Sequence, residues 1–336
     1  MSNDLEIDAS SAFMELDAAA LRQYIDSKSA FTAHEEALRE VGQVRGGMSW
    51  KTVSQSEYLI RTSPTGGQKG LGARSPATEE MYTRFRARKE KAAARVAATR
   101  AQVTRCERLN RALYVGRAPQ ILIDLLNRLS RSGLAEHFSV VGTHSIYAYE
   151  AAAGVRVVDT GALETKDVDL LWDTRKIVKF VARMDLLKST FLGLVQKVDP
   201  SFELRDDQRY TVRNSSGFEI DVIRREAKHG DGHPLQLSKN EDEFWAVQAS
   251  SGEKLLSVPR FSAVVVAASG HMARMETIHP LAFADVKRHI AQLADRDPLK
   301  KPRDLLQAEI IERLVHDRLP QLAESYGGRP EREAHS

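Results

Sequence analysis

The chain has 336 residues, of which 42% are hydrophobic, 28% charged and 7% aromatic, with a formal net charge of +3. This length predicts about two domains with a buried core, and the composition excludes a collagen, a coiled-coil rod and a wholly disordered chain. The single cysteine, Cys106, cannot form an internal disulfide. The first ten residues are acidic, unlike a signal peptide, and the longest apolar run, 263–268, is far shorter than the roughly 20 residues of a membrane span. We therefore expect a cytoplasmic protein that does not enter a membrane.

The charge is distributed unevenly along the first third of the chain. Residues 1–40 contain nine acidic and three basic residues, and the segment from Ala18 to about Glu40 is predicted to be an acidic helix. Residues 46–74 contain six glycines and two short alternating runs, which predict a β-hairpin followed by a glycine-rich basic loop, GGQKGLGARS. A loop before a helix can bind phosphate, but we interpret this one as a connection.

A long basic helix is predicted to follow. Ser75 provides an N-cap and Pro76 a first-turn proline. Residues 84–111 contain ten basic and two acidic residues and neither glycine nor proline. Such a helix has two interpretations, a solvated charged surface or a binding surface for a polyanion such as RNA.

From Pro119 onward, short helices and strands alternate. Periodicity predicts helices over 118–134, 143–154, 280–297 and 302–319, strands over 137–142, 167–173 and 217–225, and a disordered tail from Gly327. No internal repeat of 20–50 residues is present.

Two acidic strands and a glycine turn carry the candidate chemistry. Gly142 and Thr143 end a strand and begin a helix, where backbone N–H groups can hold phosphate. Asp167 and Asp169 share one face of an otherwise apolar strand, and two buried carboxylates are costly unless a divalent cation lies between them. Magnesium suits such oxygen ligands; the alternative is an exposed or capping aspartate without a metal. Asp221, on the later strand GFEIDVIRR, would supply a third carboxylate.

This ordered set resembles the polymerase-β-type nucleotidyltransferase superfamily, whose motif is a Gly-Ser or Gly-Thr turn, a DxD strand and a third aspartate. Gly142 and Thr143 match the turn, Asp167 and Asp169 the DxD strand, and Asp221 the third acid. Over residues 45–315 the chain is similar to a bacterial group of nucleotidyltransferase-fold proteins. One departure is the 27 positions from Gly142 to Asp169, longer than in minimal members, with 154–166 as the apparent insertion.

The C-terminal segment FADVKRHIAQLADRDPLKKPRDLLQA resembles a helix of abortive-infection-type nucleotidyltransferase toxins. The resemblance implies that Lys287 contacts the triphosphate and that further residues lie near the nucleotide or acceptor, namely Arg296, Asp297, Lys300 and Arg303. The alternative is a surface helix with ion pairs between neighbouring turns.

Weaker candidates lie close to these motifs in the sequence. His144 follows the Gly-Thr turn and has two interpretations, a residue that positions phosphate or a polar residue at the start of the helix. The positions that could line the site are Glu150, Arg175 and Lys176. A glycine-rich segment with His229, Asp231 and His233 hints at a metal, but we interpret it as an exposed loop.

Together these observations predict an α/β (α+β) fold with a polymerase-β-type nucleotidyltransferase core: a small mixed, mainly antiparallel sheet flanked by helices. The expected divisions are an accessory region over 1–115, a catalytic domain over 116–326 and a tail over 327–336. The resemblance implies transfer of an NMP from an NTP such as ATP to an acceptor hydroxyl, with Mg²⁺ or Mn²⁺ as cofactor and pyrophosphate released. A tRNA-like RNA 3′ end is the favoured acceptor, with a protein or small molecule as alternatives. A toxin role with a neutralising protein partner follows from the C-terminal resemblance. The alternative function is a non-catalytic nucleotide- or RNA-binding regulatory module.

Overall fold

The computed structural model describes residues 12–159, 161–163, 165–205, 207–228, 232, 235–238, 240 and 243–327. The described chain forms two compact units. One contains residues 22–113, and the other contains the residues up to Leu21 together with those from Tyr114 onward. No helix among the described residues is long and apolar enough to cross a membrane.

Fourteen strands are described: β1 (Phe13–Glu15), β2 (Gly47–Val53), β3 (Ser56–Thr62), β4 (Gln68–Ala73), β5 (Phe138–Val141), β6 (Val155–Val157), β7 (Asp167–Trp172), β8 (Glu203–Leu204), β9 (Thr211–Arg213), β10 (Glu219–Arg225), β11 (Leu235–Gln236), β12 (Trp245–Ala249), β13 (Arg260–Val266) and β14 (Met272–Ile278). The described α-helices are α1 (Ala18–Gln43), α2 (Pro76–Ala112), α3 (Gln120–Arg131), α4 (Ile146–Ala153), α5 (Ile177–Leu187), α6 (Phe191–Gln196), α7 (Gly252–Ser257), α8 (Pro280–Gln292), α9 (Lys301–Arg318) and α10 (Pro320–Gly327).

The unit of residues 22–113 contains α2, most of α1 and a three-stranded antiparallel sheet, β2-β3-β4. The predicted hairpin is β2 and β3. The glycine-rich segment after it was wrongly predicted to be a loop, because residues 68–73 form β4 and pair with β3. The register shifts between Leu59 and Ile60, and this irregularity accommodates the glycines of β4 within the ladder.

The basic helix predicted from composition is α2, which has 37 residues. Ser75 caps it as expected, and the side chain of Thr78 reciprocates by accepting from the Ser75 backbone N–H at 2.8 Å. One side of α2 is buried through Val103, Cys106 and Asn110. Within this unit Asn110 Oδ1 accepts hydrogen bonds from Gln23 and Ser27 of α1.

The second unit is built on a seven-stranded sheet in which β11, β12, β10, β7 and β5 follow one another and β9 and β8 extend from β10. β10 pairs in parallel with both β7 and β12, and the remaining pairs are antiparallel. The sheet is therefore mixed and mainly antiparallel, and helices flank it. These features confirm the predicted fold class.

The two faces of this sheet have different roles. Val168, Leu170 and Trp172 alternate along one face of β7 and belong to the main apolar core. The opposite face carries Leu171, which belongs to a second apolar cluster that includes side chains of α8 and α9. Asp167 and Asp169 occupy this second face, before the apolar part begins. The period of two in the strand thus places its acids on the face near α8 and α9.

Two further predictions concern the apparent insertion over 154–166 and the C-terminal tail. The segment 154–166 begins with a strand, β6, which pairs with β1. The disordered tail was predicted from Gly327, but α10 extends to that residue, and 328–336 lie outside the described part of the chain.

Candidate active site

The parallel pairing of β7 with β10 brings the two acidic strands together. Asp167 lies opposite Glu219, and Asp169 lies opposite Asp221. Side chains at paired positions of neighbouring strands project from the same face, and the strands are about 4.8 Å apart. Four carboxylates therefore share one small area of the sheet.

One of the four acids has its own counter-charges. Arg205 Nη1 lies 3.1 Å and Arg213 Nε 3.7 Å from the Glu219 carboxylate. The other three acids form no ion pair within the described chain: Asp221 accepts from the Thr211 hydroxyl at 2.5 Å, and Asp167 accepts from the Thr165 hydroxyl. The three predicted aspartates are thus the ones left without a cation.

Mutual repulsion and burial raise the pKa of two of these acids. The pKa of Asp169 is raised to about 7, first by burial and then by the charges of Asp221 and Asp167. Burial also raises the pKa of Asp221 to about 6, although the Thr211 hydroxyl opposes the rise. Buried carboxylates that lie close together repel each other, and a bound cation would neutralise that repulsion.

Gly142 makes close packing against Asp169 possible. Its φ is +70°, a conformation that favours glycine, and a Cβ added there would lie 2.5 Å from Asp169 Oδ2. The backbone of the turn therefore passes directly beside the DxD strand, although the two segments are 27 positions apart in the chain.

Thr143 and His144 are buried behind this turn. Thr143 Oγ1 accepts a hydrogen bond of 3.0 Å from Gln307 Nε2 of α9, and the same amide donates to the Ala162 carbonyl. Burial lowers the pKa of the His144 imidazole to about 4, although the neighbouring Asp167 opposes the shift. A neutral imidazole lies beside the ring of Phe218.

A buried ion cluster joins α8 to α9. Asp304 is fully buried and accepts from Lys287 Nζ at 2.8 Å and from Arg296 Nη2 at 2.6 Å. Burial lowers the pKa of Lys287, while Asp304 and Asp169 oppose that shift. The charges of Lys287 and Lys300 in turn act to lower the pKa of Asp169. Lys287 and Arg296, predicted to bind nucleotide, thus share one carboxylate near the acidic strands.

Several weaker candidates do not lie at the aspartates. Glu150 is paired with Arg117 and accepts from the Val157 backbone N–H at 2.6 Å. Arg175 pairs with Asp173 beyond the C-terminal end of β7, and Lys176 donates to the Glu136 carbonyl. Arg175 and Lys176 therefore lie at the end of β7 opposite to Asp167 and Asp169, and their predicted place in the site is wrong. Glu150 lies in α4 and is held by Arg117.

Three further groups of weaker candidates lie in the C-terminal segment and the glycine-rich segment. Asp297 is exposed and accepts from the Leu299 backbone N–H, and Arg303 is half-buried near the start of α9. His229, Asp231 and His233 lie outside the described residues.

Three residues in contact with the site were missed by the sequence analysis. They are Thr211, Asp304 and Gln307. Asp304 follows Pro302 in the first turn of α9, where an acidic residue usually serves the helix dipole. Thr211 and Gln307 were hidden because only the pairing of β9 with β10 and the packing of α9 bring them to the motif.

The donor set fits a hard divalent cation. Asp167, Asp169 and Asp221 offer oxygen atoms, which are the ligands that Mg²⁺ and Mn²⁺ prefer, and a cation would relieve the repulsion that raises their pKa values. Within the described ranges, no three His, Cys, Asp or Glu side chains are already grouped at metal-binding distances.

The charge at Asp169 should destabilise the metal-free protein. Folding raises this pKa to about 7 from about 4 in the unfolded chain, so stability falls as the pH rises through this window and the loss is complete above it. Asp169→Asn, measured by thermal unfolding with a chelator at about pH 8, should raise the melting temperature by at least about 2 °C.

Two comparisons check that the higher melting temperature of Asp169→Asn comes from the loss of a negative charge. The increase should shrink at about pH 4.5, and Mg²⁺ should stabilise the wild type more than the variant. The exposed Asp185→Asn provides the matched control. A variant that melts below the wild type at about pH 8 would contradict repulsion at this position.

Gly142→Ala tests the contact between the turn and Asp169. We expect the substitution to lower the free energy of unfolding by about 1–3 kcal/mol through backbone strain and the clash with Oδ2. In an Asp169→Ala background the clash is absent, so the cost should be smaller in a double-mutant cycle measured by urea unfolding. Gly70→Ala, where an added Cβ meets nothing within 4 Å, is the control. Equal costs in both backgrounds would refute the contact.

Comparison with known proteins agrees with this geometry. No curated protein and no solved structure gives a significant match to the chain. A family model described as a nucleotidyltransferase matches residues 120–327, which include β5, β7, β10, α8 and α9. That match covers more than half of the sequence and contains every element of the acidic site, and the chain therefore belongs to this nucleotidyltransferase family.

Proposed function

We propose that the protein transfers an NMP from an NTP to an acceptor hydroxyl, with Mg²⁺ or Mn²⁺, and releases pyrophosphate. The main observation that supports this proposal is that Asp169 and Asp221 lie opposite each other on two parallel strands, beside a glycine turn that leads into a helix. Family membership supports nucleotidyl transfer in general. The cation, the acceptor and the residue roles are inferred from the donor set and the charges around it.

The proposed roles follow from what each group can do. Asp167, Asp169 and Asp221 would hold the metal, which supplies charge stabilisation for the phosphates and orients them. The acceptor oxygen attacks the α-phosphorus, the bond from that phosphorus to the pyrophosphate oxygen breaks, and the hydroxyl proton leaves. Asp221, which faces Asp169 across the two strands, would either ligate the metal or accept that proton as the base.

Backbone and cationic groups would bind the rest of the triphosphate. The backbone N–H groups of the turn at Gly142 and Thr143 would bind the β- and γ-phosphates. Lys287 and Arg296 would neutralise phosphate charge, with Asp304 holding both cations near the acidic strands. Such chemistry depends on positioning and electrostatic stabilisation more than on a covalent intermediate.

RNA is the acceptor that the charge distribution favours. The ten basic residues of 84–111 lie in α2, where a polyanion can be bound outside the metal site. A protein or small-molecule hydroxyl would be the alternative acceptor. The proposed toxin role rests on the C-terminal resemblance, and growth arrest on expression, abolished by Asp169→Ala, would support it.

Label transfer tests the reaction. With Mg²⁺ and total RNA, the wild type should move label from α-³²P NTP into RNA and none from γ-³²P NTP, because the pyrophosphate departs. Asp169→Ala and Asp221→Ala should each lower transfer at least about a hundredfold, as expected when several kcal/mol of charge stabilisation are lost.

Asp185→Asn serves as the control and should transfer at the wild-type rate. Equal labelling by wild type and Asp169→Ala would overturn the assignment. Magnesium-dependent NTP binding without transfer to RNA, protein or small molecules would instead indicate the non-catalytic module.

Lys287→Met tests the proposed triphosphate contact. Calorimetry at a temperature where the variant is folded should show at least about tenfold weaker binding of NTP, whereas NMP binding should change little, because an NMP lacks the β- and γ-phosphates. Arg288→Met is the matched control, since Arg288 follows on the same helix but pairs with Glu312. An equal loss for NTP and NMP would contradict the contact and indicate a structural role.

A further inference from the structure

The ten basic residues of 84–111 do not form one uniform surface. Four of them have partners within residues 22–113: Arg84 pairs with Glu80, Arg86 with Glu90 and Arg95 with Glu36 and Glu40, while Lys89 donates to the Gly46 carbonyl. The basic residues of this first half of α2 also include Arg88 and Lys91, which are exposed. Ion pairs therefore neutralise part of the charge of that half.

The second half of α2 is different. Its basic residues are all arginine and all exposed, namely Arg100, Arg105, Arg108 and Arg111. Among the residues that the structure describes, no carboxylate forms an ion pair with any of the four. We name these four residues the arginine surface.

The arginine surface has few acids near it in the sequence: within its half of α2 the acidic residue is Glu107, which is half-buried. In this half α1 meets α2 through neutral groups, with Gln23 and Ser27 bonded to Asn110. The carboxylates of Glu36 and Glu40, further along α1, contact Arg95 instead. Glu36 and Glu40 thus pair with the first half of α2.

The four arginines project to one side of the helix. At 100° per residue they fall within an arc of about 140°, and from Arg100 to Arg111 they extend about 17 Å along the axis. Arg100, Arg105 and Arg108 line one shallow cleft with Ala97, Ala101 and Thr104. The small residues allow a ligand to approach the helix between the guanidinium groups.

We propose that the arginine surface binds the phosphate backbone of a base-paired RNA, the acceptor whose terminal hydroxyl receives the NMP. This inference rests on the proposed function for the choice of RNA. Arginine donates two parallel hydrogen bonds to phosphate oxygens, and four such groups along 17 Å can follow several phosphates of one backbone. No aromatic residue lies among them for base stacking, so the surface recognises backbone charge and shape rather than sequence.

Two other ligands fit this surface less well. An interfacial membrane helix exposes large apolar side chains beside its basic ones, whereas here the residues between the arginines are small and Leu109 is the large apolar side chain exposed on this half of α2. An acidic protein would match the charge, but the family to which the chain belongs acts on nucleotides. The competition experiment below distinguishes an acidic protein from RNA as the ligand.

Binding is measured by fluorescence anisotropy of a labelled tRNA and a labelled RNA hairpin, with all proteins in an Asp169→Ala background so that catalysis does not intervene. The test variant replaces all four arginines with glutamine, which keeps helix propensity. Its log affinity should depend on log salt with a slope shallower by about 3, since each lost phosphate contact contributes roughly 0.7–0.9, and its affinity should fall at least about tenfold.

The control variant removes the same number of charges from exposed positions elsewhere, through Lys179→Gln, Lys188→Gln, Lys197→Gln and Lys254→Gln. It should keep the wild-type slope and affinity. Circular dichroism and thermal unfolding check that both variants fold. If the fourfold arginine variant does not fold, a variant with fewer substitutions, such as Arg105→Gln with Arg108→Gln, replaces it.

Unchanged RNA affinity in a folded arginine variant would overturn the proposal, as would an equal loss in the lysine control. Displacement of tRNA by polyglutamate as effective as that by unlabelled tRNA would indicate an acidic-protein surface. Equal binding of duplex DNA or of single-stranded poly(U) would also contradict recognition of base-paired RNA.

The proposed function and this inference can fail separately. RNA binding through these arginines without label transfer by the catalytically intact protein would refute the proposed function alone. Label transfer to RNA that does not depend on these arginines would refute this inference alone.

Discussion

The repulsion between Asp169 and Asp221 is the constraint on which the site depends. It arises because β7 and β10 run parallel and in a register that places the two carboxylates opposite each other. A shift of one residue would turn every acid toward the main apolar core and every core side chain toward α8 and α9. The apolar residues between the acids therefore fix the register, and a stable core maintains an arrangement of charges that is unfavourable without a cation.

The C-terminal helices supply the compensating groups around this constraint. Lys287 of α8 lies with Asp304 of α9, and its charge partly offsets that of Asp169. Gln307 of α9 holds the turn that contains Thr143. One helix pair thus fixes the turn that contains Thr143 and places positive charge near the acids, so that both parts of the candidate site depend on α8 and α9.

The sequence allowed much of this arrangement to be predicted, since alternation located both acidic strands and the turn at Gly142 marked the strand-to-helix junction. It could not locate Asp304 or Thr211, because their roles depend on which elements become neighbours. The glycine-rich strand β4 was missed for a related reason: glycine lowers strand propensity, and only pairing with β3 stabilises that segment as a strand. Lys287 was selected by resemblance, but its partner Asp304 became visible only in the packed helices.

The parallel pairing of β7 with β10 also has a consequence for how the protein forms. Two parallel strands cannot be joined by a tight turn, so the chain must complete a long crossover through α5, α6, β8 and β9 before the carboxylates meet. The helices that supply Lys287 and Gln307 follow still later in synthesis. A growing chain therefore carries its acids well before it carries Lys287, whose charge partly offsets that of Asp169. Contacts of such long sequence separation slow folding, so the acids meet only after β10 has been synthesised and the crossover has formed.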